Sequence, residues 1–238
     1  MNNKFKLTII IPCYNEEKTI NEILTRVENV TNIEKQIIVI DDFSSDNSKS
    51  LIQNFHFKSK SKLIFHKQNK GKGACIKSSK EFINGDIVLI QDADLEYNPE
   101  CYPDLIEPIL QNKSNIVYGS RVLGKKKLFN NQYSKKYLVI GNYFLTSFSN
   151  LINNQTLTDA HTCYKVFKYS IFKQINLNEN GFAFCPEITT KLSNLNEKII
   201  ELPIEYNGRS YKDGKKIKLS DGIEAITSII KYRFFKKN

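Results

Sequence analysis

Residues 86–94 read Asp86-Ile87-Val88-Leu89-Ile90-Gln91-Asp92-Ala93-Asp94. A short apolar run ending in two carboxylates one residue apart describes a strand buried on both faces, whose carboxyl end presents oxygens to a cleft. Hard divalent cations take oxygen ligands, and Mg²⁺ is often held by one or two carboxylates together with substrate phosphates. Taken alone the pair equally fits a solvated acidic turn. Its meaning depends on what the rest of the chain brings to the same place.

Four more runs of this kind flank it. Leu7-Thr8-Ile9-Ile10-Ile11 is β-branched and stopped by Pro12; Gln36-Ile37-Ile38-Val39-Ile40 ends in Asp41-Asp42; Leu63-Ile64-Phe65 and Ile116-Val117-Tyr118 are shorter. Helical spacing lies between them. Ile20, Ile23, Leu24 and Val27 recur on one face, with Asn15 the expected cap and Glu16 and Glu17 at the positive end of the dipole. Further helices are expected from Ser48, from Ala74 to Phe82 after Lys70-Gly71-Lys72-Gly73, and from Pro99 through Leu110. Strands alternating with helices imply an α/β fold with a parallel sheet covered on both faces. In such sheets ligands bind beyond the carboxyl ends of the strands. Pro12 to Asn15, Asp41-Asp42 and Asp92 to Asp94 should therefore converge on one crevice.

After Arg121 the alternation stops. Lys125-Lys126-Lys127 reads as a solvated loop. Between Tyr137 and Ile152, apolar residues cover much of a helix circumference, which suits either a buried helix or one lying on a membrane or subunit surface. Ile199 to Ile204 reads as a late strand. A helix from Ser220 carries Ile223, Ile226, Ile229 and Ile230, then runs into Lys231-Tyr232-Arg233-Phe234-Phe235-Lys236-Lys237. Mixed aromatic and basic residues there suit a bilayer surface or an ordinary helix end that favours cations.

Bulk properties narrow the classes. The chain has 238 residues, 40% hydrophobic and 25% charged, enough for a sizeable core without disulfides or a structural metal. Its five cysteines are scattered and never form Cys-x-x-Cys, which argues against a disulfide framework or zinc site and fits a reducing compartment. The start is too short in apolar residues for a signal peptide, and no apolar stretch reaches membrane-spanning length. A net charge of +10 permits attraction to phosphates or anionic lipid. No aromatic-interleaved basic stripe appears, so nucleic acid is disfavoured as a partner. The Pro12 to Glu17 turn lacks glycine, against a dinucleotide-binding oxidoreductase. Phosphatases that use Asp-x-Asp carry it on their first strand, whereas this pair follows the fourth.

At this point the sequence resembles a known group. Ile10-Ile11-Pro12-Cys13-Tyr14-Asn15-Glu16-Glu17, Val39-Ile40-Asp41-Asp42-Phe43-Ser44-Ser45-Asp46, Asn69-Lys70-Gly71-Lys72-Gly73, Asp92-Ala93-Asp94 and Gly119-Ser120-Arg121 stand in the order and approximate spacing of family 2 glycosyltransferases. The remainder is similar to the dolichyl- or polyprenyl-phosphate mannosyltransferase-like branch. The resemblance implies a single GT-A domain over residues 1–238, a Rossmann-like, mixed but mostly parallel sheet flanked by helices. Residues 1–121 would form the nucleotide-sugar half and 122–238 the acceptor half, with membrane-surface helices in the latter. It implies metal-dependent, inverting transfer of a hexose from a UDP- or GDP-sugar to a polyprenyl phosphate or cell-surface glycan. Mg²⁺ or Mn²⁺ is the expected cofactor; the expected place is the cytoplasm, free or peripheral on the cytoplasmic face of a membrane, with a membrane surface or a small membrane protein as a further partner. The alternative is a weakly active member that binds nucleotide-sugar or scaffolds a glycan-assembly complex.

The same resemblance assigns residues. Pro12, Tyr14, Asn15 and Glu16 line the nucleotide pocket, Asp41 or Asp42 meets base or ribose, and Lys72 joins them. Asp92 and Asp94 hold the metal on the donor diphosphate, with Glu96 as a further metal contact and Asp94 also counted as catalytic. Arg121 is a second cation at the diphosphate. Asp159, in Leu157-Thr158-Asp159-Ala160-His161-Thr162-Cys163-Tyr164-Lys165, is the candidate general base or acceptor-orienting group, or else a helix cap. Glu187 is a weaker candidate near the same cleft; His161 and Cys163 are expected to be structural. Arg209 and Lys215 are expected to close over phosphates, although this stretch lacks the Ser-Lys pair that many polyprenyl-phosphate enzymes carry after the arginine.

Overall fold

In the computed structural model, which describes residues 5–123, 136–209 and 219–235, seven strands build one sheet. They are β1 (Lys6–Cys13), β2 (Glu34–Asp41), β3 (Lys60–Phe65), β4 (Ile87–Ile90), β5 (Ile116–Ser120), β6 (Lys165–Lys168) and β7 (Ile199–Pro203). Their order across the sheet is β3-β2-β1-β4-β6-β5-β7. All neighbours are parallel except β6, which runs antiparallel to both β4 and β5. The helices are α1 (Ile20–Asn29), α2 (Ser48–Asn54), α3 (Lys72–Ser79), α4 (Tyr102–Leu110), α5 (Lys136–Asn153), α6 (Tyr169–Gln174), α7 (Phe184–Asn194) and α8 (Leu219–Ile230). The sheet is mixed, mostly parallel and flanked by helices, as expected.

The apolar runs become the central strands, with Ile9, Ile10, Ile11, Ile37 to Ile40 and Val88 to Ile90 all inaccessible to solvent. Burying side chains on both faces gives two cores. Ile9 and Ile11 pack with Ile20, Ile23, Leu24 and Val27 of α1, while Ile10, Ile38 and Ile90 pack with Ile76 of α3 and Phe184 and Ile188 of α7.

Three local expectations are corrected. Pro12 does not end β1: it stays in register with Ile40 of β2, and on the other side the pairing with β4 has already ended at Ile10–Ile90. A missing N–H there breaks no ladder bond. Asn15 does not cap α1. It has φ of 49°, a left-handed conformation that asparagine tolerates, and the helix starts at Ile20 after Thr19. The third correction is β6, which the sequence did not signal and which separates β4 from β5. Among the described residues, no helix is long and apolar enough to cross a membrane.

Candidate active site

The loops after β1 and β2 are stitched together by reciprocal hydrogen bonds. Backbone N–H groups of Asn15, Glu16 and Glu17 donate to Ser44 Oγ (2.9 Å), Ser48 Oγ (2.8 Å) and Asp46 Oδ2 (3.0 Å). Asn15 Oδ1 accepts from Ser45 N and Glu17 Oε2 from Asn47 N in return. The two acidic residues ending β2 have different work. Asp42 accepts from the backbone N–H groups of Lys70 (2.9 Å) and Gly71 (2.6 Å) and faces His66 Nδ1 at 2.6 Å, so its carboxylate organises the following loop. Asp41 is 1% exposed, and its Oδ1 has no hydrogen-bond partner. A buried oxygen in that state is costly unless a donor arrives. Phe43, next to the pair, is exposed with φ of 65°, a strained backbone for a bulky residue on the rim of this crevice.

The turn after β4 is held from several sides. Buried Gln91 accepts hydroxyl hydrogen bonds from Tyr102 and Tyr164, each 2.6 Å, and its amide donates to the Asp92 carbonyl. Thr19 Oγ1 donates to the Ala93 carbonyl at 3.0 Å. Lys72, the first residue of α3, pairs with Asp92 and lies 3.2 Å from Cys163 Sγ. The glycines around Lys72 serve close packing: a Cβ on Gly71 would sit 2.6 Å from the Asn180 carbonyl oxygen, and one on Gly73 2.4 Å from that of Glu179. Asp94 Oδ1 accepts from the Glu96 N–H and Oδ2 lies 3.1 Å from Arg209. Arg209 also forks onto Glu16 through two 2.7 Å bonds. Glu96 accepts from Tyr206 O–H (2.7 Å) and Arg209 N–H (2.8 Å), which ties residues 206–209 across the turn.

The two aspartates therefore differ electrostatically. Burial works to raise the Asp92 pKa, but the Lys72 ammonium, hydrogen bonds from Cys163 and Lys72, and the Arg209 charge together hold the carboxylate low. Asp94 is pushed up to about 8, by burial first and then by the Asp92 and Glu96 charges, with Arg209 only partly offsetting them. The cluster carries more carboxylate charge than its resident cations neutralise.

On the other side of the turn, Asp159 is fully buried and both its oxygens are engaged. Arg121 Nε and Nη2 donate to them at 2.7 and 2.8 Å, joined by the Arg121 N–H (3.1 Å) and Asn142 Nδ2 of α5 (3.3 Å). Burial opposes ionisation, yet the guanidinium keeps the Asp159 pKa below its usual value. Glu201 of β7 accepts from the N–H groups of Thr158 and Asp159, fixing that segment. His161 Nε2 is buried without a partner; burial and the Lys165 charge lower its pKa to about 4. Lys165 is itself inaccessible, bonded to the Ala160 carbonyl and lying over the Tyr118 ring at 3.7 Å. Glu187 is buried too, accepting from the N–H groups of Asn178 and Glu179 and pairing with Lys191.

The crevice thus draws together Asn15, Glu16, Asp92, Asp94, Glu96, Lys72 and Arg209, with Pro12, Tyr14 and Asp41 on the neighbouring strand ends and Arg121 and Asp159 facing β7. Lys215 lies outside the described residues. Gln91, Tyr206 and Asn142 were not anticipated. Oxygen donors at Asp92 and Asp94 and the excess negative charge suit a hard divalent cation. Glu96, expected beside them, accepts from Tyr206 and Arg209. Among the described residues, the three ligating side chains whose atoms lie within 4.8 Å of one another are Asp42, His66 and Cys75. Their needs are met by hydrogen bonds and burial. A groove of 890 Å³ between α1 and α4, lined by Phe5, Arg26, Val30, Ile106 and Leu110 among others, borders none of the expected site residues.

Outside the crevice, α5 and α8 pack together and leave apolar side chains uncovered. Ile140 and Phe144 on α5 are 60% and 61% exposed, and Ile223, Phe234 and Phe235 on and after α8 are also exposed. Asn142, two positions from each and so on the other side of α5, reaches Asp159 and Arg121. Helix α5 thus turns one side to the site and an apolar side outward.

A family model described as glycosyl transferase family 2 matches residues 8–175. A dolichol-phosphate mannosyltransferase of Pyrococcus furiosus is 30% identical over 212 residues, covering 88% of this chain and 59% of that protein. A dolichyl-phosphate beta-glucosyltransferase of Trichomonas vaginalis is 30% identical, with 97% and 74% covered. A UDP-N-acetylglucosamine–dolichyl-phosphate N-acetylglucosaminyltransferase of Methanococcus voltae is also 30% identical, with 83% and 84% covered. Among solved structures, glucosyl-3-phosphoglycerate synthase of Mycobacterium tuberculosis, in complex with Mn²⁺, UDP and glucosyl-3-phosphoglycerate, superposes with a TM-score of 0.69 at 16% identity, over 96% of this chain and 80% of that one. That likeness shows a shared fold.

Proposed function

The chain belongs to glycosyl transferase family 2, and on that premise we propose that it transfers a hexose from a UDP- or GDP-sugar to a polyprenyl phosphate at a membrane surface. The observation that carries this reading is Asp94. Its buried carboxyl stands between Asp92 and Glu96 at the carboxyl end of β4, with Arg209 against it. That concentration of charge suits a donor diphosphate bound through a cation. The relatives named for dolichyl phosphate, and the uncovered apolar side chains of α5 and α8, support a lipid acceptor over a soluble glycan.

In this reading residues 1–121 hold the donor and 122–238 the acceptor. The unpartnered oxygen of Asp41 accepts an N–H of the base, and the loop pair 14–17 and 44–48 shapes the pocket around the nucleoside. A divalent cation, Mg²⁺ or Mn²⁺, held at Asp94 with Asp92 beside it, supplies Lewis-acid stabilisation of the charge that develops on the leaving diphosphate. Lys72 keeps Asp92 ionised and fixed. A phosphate oxygen of the acceptor forms the new bond at the anomeric carbon, opposite the departing group. The bond from that carbon to the diphosphate oxygen breaks, its electron pair stays on the diphosphate, and the configuration inverts. An ionised phosphate needs no proton removed, which agrees with both Asp159 oxygens being committed to Arg121. Asp159 then orients Arg121 toward the phosphates, where a guanidinium binds in bidentate fashion.

A thermal-shift panel tests the donor half. A ligand that binds the native state stabilises it by RT ln(1 + [L]/Kd). UDP- or GDP-sugars with Mn²⁺ or Mg²⁺ are expected to raise Tm, Asp41→Asn to lose the base preference, and adenosine-diphosphate sugars to have little effect. No shift with any nucleotide-sugar in either metal contradicts the reading.

A further inference from the structure

Arg209 sits where three carboxylates from two segments of the chain meet. Its guanidinium forks onto Glu16 with two 2.7 Å bonds, lies 3.1 Å from Asp94 Oδ2, and has its Nε 3.8 Å from Glu96 Oε1. Its backbone N–H donates to Glu96 as well, so main chain and side chain are both fixed over the cluster. Asp92 is neutralised separately, by Lys72. A guanidinium on one edge of Asp94 repels a second cation brought to the other, and charges this close and this buried are weakly screened. The best alternative partner for the guanidinium is a phosphate, whose oxygens match its fork.

We propose that Arg209 is the counter-ion of the carboxylate cluster in the donor-free protein, and that it opposes a divalent cation at Asp94 until a nucleoside diphosphate draws the guanidinium away. Metal and nucleotide then bind as a coupled pair, each weak alone. This rests on reading Asp94 as the residue that holds the metal.

Mn²⁺ binding to the full chain, followed by loss of the free-ion spin-resonance signal with and without UDP or GDP, tests the coupling. Arg209→Met is expected to bind Mn²⁺ alone roughly 10-fold more tightly than wild type, and to gain correspondingly less from nucleotide, whereas Arg209→Lys keeps the charge and stays near wild type. A purely structural arginine predicts unchanged or weaker metal binding on its removal. Either result, in a variant with a native circular dichroism spectrum and melting transition, overturns the proposal. Should Arg209→Met fail to fold, Arg209→Gln takes its place; failure of both makes the arginine a structural clasp and also overturns it. Asp94→Asn separates this inference from its premise. If it retains wild-type Mn²⁺ binding with nucleotide, the premise fails; if it loses that binding while Arg209→Met shows no gain, the role of Arg209 alone fails.

Discussion

Helix α1 turns Ile20, Ile23, Leu24 and Val27 onto the sheet and shows polar residues outside, whereas α5 leaves Ile140 and Phe144 more than half exposed. Both halves bury charge, but in different places. In the first half, charged groups gather at strand ends around the crevice. In the second, Asp159, Lys165, Glu187 and Lys191 are inaccessible, each paired or bonded inside the fold. On the proposed reading, the first half serves a water-soluble ligand. The second carries polar machinery within and an uncovered apolar face without, the arrangement expected of a surface that meets an amphipathic acceptor.

Breaking the buried charge of the second half should have the largest effect. Asp159→Ala leaves the Arg121 guanidinium without its main partner in a buried place and is expected to cost about 3–5 kcal/mol of stability, read from urea unfolding. An equal loss from Glu22→Ala, whose pair with Arg26 is exposed on α1, would erase the contrast; an exposed pair contributes at most about 1 kcal/mol.

The pH dependence sharpens the same contrast. The His161 pKa is lowered to about 4 in the folded state, from the ordinary 6.5, by burial and then by Lys165 and Arg121, with Asp159 acting in the opposite sense. The unfolded chain therefore takes up the proton first. Stability from this group is fully present above pH 6.5 and is lost as pH falls toward 4, by up to about 3 kcal/mol. Denaturant midpoints measured across that window should fall steeply for wild type and more shallowly for His161→Gln.

The apolar face gives the smallest expected effect and the most specific one. Ile140→Glu with Phe144→Glu should weaken binding to anionic vesicles roughly 10-fold and leave Tm nearly unchanged, because both side chains are solvent-exposed. Vesicle flotation measures the first and calorimetry the second. Unaltered flotation would remove the membrane from the account.

Much of the first half was legible because its strands are buried on both faces, so apolar runs mark them directly. Their polar ends were not, since Glu34, Lys35 and Lys60 to Lys62 extend ladders beyond the apolar residues. Lys35 illustrates why: its ammonium donates to the carbonyls of Val27 and Glu28 at the end of α1, a tertiary contact with no local signature. Asn15 looked like a helix cap because its real partners, Ser44 and Ser45, belong to another loop. Strand β6 was hidden by lysines at both ends, one of them buried against a carbonyl and a tyrosine ring. The acidic pair was visible, but not its asymmetry: Lys72 and Arg209, which separate Asp92 from Asp94, come from residues 20 and more than 100 positions away.

On the proposed reading, the carboxylate cluster and the apolar face serve one transfer reaction. The direct test supplies sugar-labelled UDP- or GDP-hexose and Mn²⁺ with a polyprenyl phosphate in vesicles, then follows label into the organic-extractable lipid. Wild type should glycosylate the lipid, and Asp94→Asn should lower the rate by at least ~10²-fold while still folding. Label released only as free sugar, or equal lipid labelling by wild type and Asp94→Asn, would contradict the account.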